Sequence, residues 1–138
     1  MGQIDRLELV GWQTLLDRNP KIFQDMQAGA RIGVLSKDEF EPPATMVVWQ
    51  ATELGMRAVY EPFPGFEQVK IDLLFIADEA TLLGMHDPVT DAPFRQIRTK
   101  LRLRDILLYV VKPHRALLDS GYENFLESLG LPVLGTCR

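Results

Sequence analysis

The sequence predicts an α/β protein: one domain over residues 1–138, with a mixed, mostly parallel sheet flanked by helices. Two short apolar runs bounded by turn residues, 71–77 and 106–111, are typical of strands. Segments with helical spacing lie between the strand candidates. With 138 residues, 46% of them apolar, the chain can build one core without disulfides. Spacing does not give strand direction, so an α+β fold with an antiparallel sheet stays open as the alternative.

The central strand is the clearest prediction. Asp72 is the only polar residue over 71–77, and the run is too short for a full helix. Such a run indicates a strand covered on both faces.

The N-terminal quarter predicts a half-exposed strand over 4–10, followed by a short helix that begins at Gly11. Asn19 and Pro20 then form a helix start signal, and Gly29 a stop signal. We therefore expect a helix over 20–28 and a strand over 31–35.

Residues 44–54 are ambiguous. Met46 to Trp49 have strand propensity, but Val47, Ala51 and Leu54 share a helical face and Gly55 suits a C-terminal cap. The pattern favours a helix, with a strand as the alternative. A strand over 56–60 follows.

The second half predicts a helix capped by Asp78, a loop over 85–93 and a second buried strand over 106–111. Residues 94–104 fit either a helix or a strand. A helix is expected over 113–118. Ser120 and Glu123 have capping-box spacing, which predicts a further helix that ends at Gly130.

Charge and cysteine content restrict the location and the partners. The net charge of −4 argues against nucleic acid or an anionic membrane as the main partner. A single cysteine excludes an internal disulfide framework, and no run of about 18 apolar residues is long enough to span a bilayer. We expect a cytoplasmic protein.

Four residues form the candidate ligand site: Asp78, Glu79, His86 and Asp87. The two carboxylates follow the central strand, at the edge where open α/β sheets bind ligands. Carboxylate oxygens suit hard cations, and Asp87 is placed to orient the His86 imidazole. The structural alternative is that Asp78 caps a helix while Glu79 interacts with the helix dipole.

A basic run is the candidate anion-binding surface, formed by Arg98, Lys100, Arg102 and Arg104. Such a surface would bind phosphate groups with salt-dependent affinity. The run lacks interleaved aromatic residues that could stack on bases, and a solvated face is the alternative interpretation.

No nucleotide-binding loop, nucleophile elbow, paired-cysteine or zinc-protease motif occurs, and we predict no catalytic residue, metal or cofactor. The sequence favours a cytosolic regulatory or accessory protein that acts through protein–protein contacts and assembles as a homo-oligomer. Its protein partner is not specified. Phe63 and Phe66 are the candidate interface residues. A small-ligand or metal-dependent enzyme that uses the Asp78 loop is the alternative, and phosphate or nucleic-acid binding is the third hypothesis.

Overall fold

The computed structural model describes residues 6–37, 44–65, 67–85, 93–112 and 114–130. Six helices lie in these ranges: α1 (Arg6–Asp17), α2 (Pro20–Phe23), α3 (Glu79–Met85), α4 (Pro93–Arg102), α5 (His114–Asp119) and α6 (Glu123–Ser128). Five strands lie there as well: β1 (Arg31–Ser36), β2 (Ala44–Thr52), β3 (Gly55–Phe63), β4 (Leu73–Ala77) and β5 (Ile106–Val110).

The five strands form one mixed sheet in the order β3-β2-β1-β4-β5. The α/β class with helices flanking a mixed sheet is therefore confirmed. The majority direction differs from the prediction: β1 and β4 are parallel, whereas the other three pairs are antiparallel. The short β2–β3 turn permits only antiparallel pairing there, whereas the apolar pattern does not encode strand direction.

One face of the sheet carries the larger core, which is built around Trp49. The Trp49 ring is fully buried, and its centroid lies 5.8 Å from that of Trp12 and 5.9 Å from that of Phe75. Phe23 and Phe94 meet the same ring edge-on. Aromatic pairs in such tilted and edge-on arrangements add to the stabilisation from area burial alone.

The opposite face carries a smaller apolar cluster, which includes Leu35, Met46, Val48, Phe63 and Leu74. Gly33 lies beneath it. A Cβ atom on Gly33 would lie 2.7 Å from the Ile71 side chain, so glycine makes room for the segment that covers this face. Both faces of β4 are covered as a result, and all five of its residues are buried, as predicted.

The first strand predicted, over 4–10, is wrong, because α1 occupies Arg6–Asp17. Leu9, Trp12 and Leu16 recur at helical spacing and face the core. That repeat continues through Gly11, at which the prediction divided the segment. Helix α2 ends at Phe23 and is shorter than the predicted helix over 20–28.

The helix favoured over 44–54 is also wrong, because these residues form β2 and its hairpin turn. Residues 46–49 are buried on both faces of the sheet, which suits Val and Trp side chains. Gly55 has a φ of 123° and closes the turn to β3 instead of capping a helix. The Thr52 hydroxyl supports the turn by accepting a hydrogen bond from Leu54 N–H at 3.1 Å.

The C-terminal half follows the prediction in part. Residues 93–102 take the helical alternative, and 106–110 form a strand. This strand is not the second buried strand that was predicted, because it lies at the sheet edge. The capping box is wrong too: Tyr122 occupies the N-cap of α6, with no side-chain cap hydrogen bond.

The β3 edge is covered by α1 through Gln13. The Gln13 side-chain amide donates a hydrogen bond to Met56 C=O at 3.0 Å and accepts one from Ala58 N–H at 2.8 Å. One glutamine thus satisfies a donor and an acceptor that face away from β2, and it blocks this part of the edge as a template for another strand.

Gln13→Ala leaves both β3 backbone groups without their partner. We expect it to lower the free energy of unfolding by about 1–2 kcal/mol, measured by urea denaturation. Gln96 is exposed on α4, so Gln96→Ala is the control and should change stability by less than about 0.5 kcal/mol. If both substitutions lowered the free energy of unfolding equally, Gln13 would not stabilise the β3 edge in this way.

Candidate functional site

A buried carboxylate connects three parts of the fold. Asp72 is 2% exposed, and its carboxylate accepts hydrogen bonds from Arg31 N–H at 2.9 Å and from the Tyr122 hydroxyl at 2.6 Å. Lys112 Nζ forms an ion pair with the other carboxylate oxygen at 2.8 Å. The backbone of Asp72 also bonds to Arg31 and to Val111. Asp72 therefore joins β1, the end of β5 and the start of α6.

Tyr122 has a strongly perturbed environment within this group. Burial, followed by the neighbouring Asp72 carboxylate, raises the pKa of its hydroxyl far above the ordinary value. The hydroxyl thus stays protonated and acts as a donor to Asp72. Because Tyr122 is fully buried and Lys112 is half-exposed, a substrate has little access, and the arrangement acts as a structural connection. The sequence marked Asp72 as the only polar residue of its run but did not predict its partners.

Asp78 has a structural role at the start of α3. Its carboxylate accepts a hydrogen bond from Thr81 N–H at 2.8 Å, which is N-cap geometry. This bond, more than the nearby Lys37 and Lys100 charges, holds the pKa of the Asp78 carboxyl below its usual range. Glu79 is exposed in the first turn. His86 and Asp87 lie outside the described residues, so the four-residue ligand site stays a prediction.

The basic run lies mainly on α4. Phe94 and Ile97 face the core, whereas Arg98 and Arg102 are exposed on the outer side of the helix. Arg98 packs across Gly130, and half-buried Lys100 lies 3.9 Å from the carboxylate of Asp105.

Arg104 occupies the turn between α4 and β5 with a φ of 68°, a conformation that favours glycine. The backbone of Arg104 is therefore strained, and a glycine at this position would relieve the strain. Arg98 and Lys100 lie on different sides of α4, so the four-residue anion-binding surface stays a prediction.

Phe63 does not lie on the surface. It is 1% exposed and packs in the smaller core, so it contributes to stability, and a partner could reach it only if the core opened. Trp12 and Trp49 are buried in the larger core. Phe66 lies outside the described residues.

The exposed apolar residues are concentrated at β5 instead. Leu107 and Tyr109 are each 47% exposed, and Val110 is 56% exposed. Val111 and Leu103 extend this surface at its two ends. We call these five residues, together with the outer backbone edge of β5, the β5 edge surface. The sequence could not distinguish it from a buried strand, because both are rich in Leu, Ile and Val.

The backbone of β5 is paired on one side within the described part of the chain. Leu74 pairs with Tyr109 and Ile76 with Leu107, in register with the bond from Val111 N–H to Asp72 C=O. Antiparallel alternation therefore directs the N–H and C=O groups of Ile106, Leu108 and Val110 away from β4. No described strand pairs with them.

Neither a metal centre nor a membrane span is found in the ranges that the structure describes. No group of three or more His, Cys, Asp or Glu residues is arranged there to hold a metal ion. The described helices include none that is long and apolar enough to cross a bilayer.

No known protein family matches the chain, and no curated protein matches it. A UbiJ-SCP2 ubiquinone synthesis protein is 14% identical with a TM-score of 0.49, over 94% of this chain and 93% of that chain. A conserved hypothetical protein from Thermus thermophilus, described as a candidate sterol carrier protein, is 15% identical with a TM-score of 0.48, over 100% and 94%. At these TM-scores the likeness carries no argument about function.

Tyr122→Phe removes one donor from the buried Asp72 carboxylate and should cost about 1–3 kcal/mol of unfolding free energy at neutral pH. The raised Tyr122 pKa gives stability that is complete below about pH 10 and decreases as pH rises, because only the unfolded hydroxyl ionises there. Urea denaturation should therefore show the gap between wild type and variant narrowing above about pH 10. A gap that stays constant with pH would contradict this account. Tyr109→Phe, at a half-exposed ring, is the control at neutral pH.

Asp78→Ala should lower the melting temperature, whereas Asp78→Asn should stay close to wild type, because Asn also caps helices. Since the pKa of Asp78 is lowered, its contribution is present above about pH 4 and is lost as pH falls below it. Thermal unfolding at neutral and acid pH measures both effects. A melting temperature that Mg²⁺ raises in wild type but not in Asp78→Asn would favour the ligand-site interpretation.

Proposed function

We propose that this protein is an accessory binding protein, and that it captures an extended acidic segment of a protein partner by adding it as a strand to β5. The β5 edge surface is the observation that supports this function. Strand addition uses backbone hydrogen bonds for affinity and side-chain contacts for selectivity.

The outward backbone groups are covered at the β3 edge but not by any described strand at the β5 edge. This difference favours β5 as the binding edge. At β3, Gln13 of α1 occupies outward backbone groups. At β5, the outward groups of Ile106, Leu108 and Val110 have no described partner strand, and apolar side chains surround them. A bare apolar edge is an aggregation hazard that proteins usually protect by charge, bulge or cover. An edge of this kind fits a surface that a partner covers.

Charge favours an acidic partner. Arg102 and Arg104 are exposed just before the start of β5, and Lys112, which is paired with Asp72, follows its end. Asp105 directly precedes the strand, and Lys100 Nζ lies 3.9 Å from its carboxylate. A strand with alternating acidic and apolar residues would meet the cations and the apolar side chains of the β5 edge surface together.

The same charges disfavour pairing between two copies through β5. An antiparallel pair centred on Leu108 would offer no acidic residue to Arg104, because the second copy carries Lys112 at the matching position. The homo-oligomer stays a prediction, and β5 is not the surface through which we expect it. Cytoplasmic location and the enzyme alternative also stay predictions.

A short synthetic peptide that alternates glutamate with valine is the probe, and the lysine–valine peptide is its matched control. Isothermal titration calorimetry should detect binding of the glutamate peptide alone, with affinity that falls as salt is added. Equal binding of both peptides, or of neither, would overturn the proposal. Binding to anionic phospholipid vesicles without binding to either peptide would assign the surface to membranes instead.

Two variants distinguish strand addition from nonspecific binding. Val110→Pro removes an outward N–H group and leaves the bonds to β4 intact, so it should weaken peptide binding by at least about tenfold without unfolding the protein. An unchanged affinity would exclude pairing at this edge.

Arg104→Gly relieves the positive φ and removes a charge. We expect about 0.5–1 kcal/mol more stability together with weaker peptide binding, whereas a purely structural residue would not link these two effects. Arg57→Gly is the charge control, since Arg57 is exposed on β3 at the other edge of the sheet.

A further inference from the structure

A recess opens beside the hairpin turn between β2 and β3, at the margin of the larger core. Its volume is about 530 Å³, within the range of small-molecule sites. Its lining includes the buried side chains of Leu16, Phe23 and Ala51. The half-buried side chains of Met26 and Met56 also line it, and they pack against the same core. Because thioether side chains adapt to irregular shapes, this lining suits an apolar body.

Backbone and side-chain hydrogen bonds fix the segments that bound the recess. Gly29 N–H donates to Ala51 C=O at 2.9 Å, which holds the segment before β1 against β2. The Thr52 hydroxyl donates to Gly55 C=O at 2.7 Å and fixes the hairpin turn. Leu54 in this turn is 96% exposed and adds apolar surface to the lining. The recess is therefore formed before any occupant binds, as small-molecule sites usually are.

The charged groups in the lining are two carboxylates. Asp17 and Glu53 are exposed, so an occupant can reach their oxygen atoms. Gln13 Nε2 donates one hydrogen bond to Asp17 Oδ1 at 3.0 Å, which leaves further acceptor positions on that carboxylate. Neither carboxylate forms an ion pair with a residue that the structure describes. Arg18 and Lys21 are exposed neighbours in the chain, outside the lining.

These charges identify the class of occupant. An anion would meet two carboxylates, and no described lysine or arginine in the lining would compensate them. A second copy of the recess would bring two further carboxylates, which disfavours self-association through it. A molecule with one positive charge avoids both conflicts, because its charge is attracted to Asp17 and Glu53 while its apolar body contacts the methionines.

We propose that this recess binds a small organic cation, in which an apolar body contacts Phe23, Met26 and Met56 and an ammonium group lies beside Asp17 and Glu53. The site is independent of the proposed strand capture, because β3 and β5 are the two opposite edges of the sheet.

Three probes of similar shape test the proposal: 2-(aminomethyl)naphthalene is a cation at neutral pH, 2-ethylnaphthalene is its neutral isostere, and 2-naphthylacetate is an anion. Each is titrated into the protein and followed by the NMR signals of the methionine methyl groups. The amine should shift the signals of Met26 and Met56 but not that of Met46, which lies in the smaller core.

The amine should bind about three- to tenfold more tightly than the ethyl compound, since each exposed ion pair contributes modestly. The naphthylacetate should bind most weakly. The preference for the amine should decrease as salt is added, because both carboxylates are exposed and are screened.

Asp17→Asn and Glu53→Gln each remove one negative charge with little change of shape. The double variant should bind the amine and the ethyl compound equally, and asparagine keeps an oxygen for the bond from Gln13. Glu67→Gln, exposed and outside this recess, is the charge control and should keep the preference. Amide spectra check that each variant is folded. A preference for the amine that persists in the double variant would contradict the role of the two carboxylates.

Three further results would overturn the proposal. The first is equal affinity for the amine and the ethyl compound, which would reduce binding to apolar contact. The second is tighter binding of 2-naphthylacetate, which would show that the recess selects anions. The third is the absence of shifts at Met26 and Met56. None of these results depends on peptide binding at β5.

Discussion

The buried Asp72 carboxylate is the interaction on which the arrangement of this fold depends. A buried charge is tolerated only when it is paired and hydrogen-bonded, and the partners of Asp72 come from distant parts of the chain. Arg31 lies 41 residues before it and Tyr122 lies 50 residues after it. Moving any one of these elements would remove one of the three partners of the carboxylate. The group therefore selects one arrangement of β1, β4, β5 and α6.

The proposed strand-capture surface is connected to this carboxylate. The backbone N–H of Arg31 donates a hydrogen bond to Asp72 and so holds β1 beside it. Val111 and Lys112 bond to the Asp72 carbonyl and hold the end of β5 in register. The buried carboxylate thus holds β5 in position beside β4, as expected when function is carried at the margins of a stable scaffold.

The two sheet edges illustrate how a fold manages exposed backbone. A single glutamine on α1 satisfies outward groups of β3, with two hydrogen bonds from one side chain. The β5 edge has apolar side chains and a strained arginine at its start, and no described strand pairs with its outward groups. Stability alone would favour the opposite composition at an edge. The contrast is what makes β5 informative about function.

The sequence alone determined the elements whose surroundings follow from local composition. The run 71–77 is buried on both faces, and its apolar pattern predicts this burial. The cap at Asp78 also follows from local spacing, because its acceptor and donor are three residues apart. The α/β class follows from the alternation of such elements along the chain.

Only the tertiary structure decided the remainder. Residues 106–110 have the composition of a buried strand, but their position at the edge depends on which strands pair, and no local pattern encodes that. Residues 44–52 have a helical repeat, but burial between two cores selects the strand. The partners of Asp72 depend on contacts between distant residues. Periodicity reports what a segment must bury, whereas the fold decides which other segment covers it.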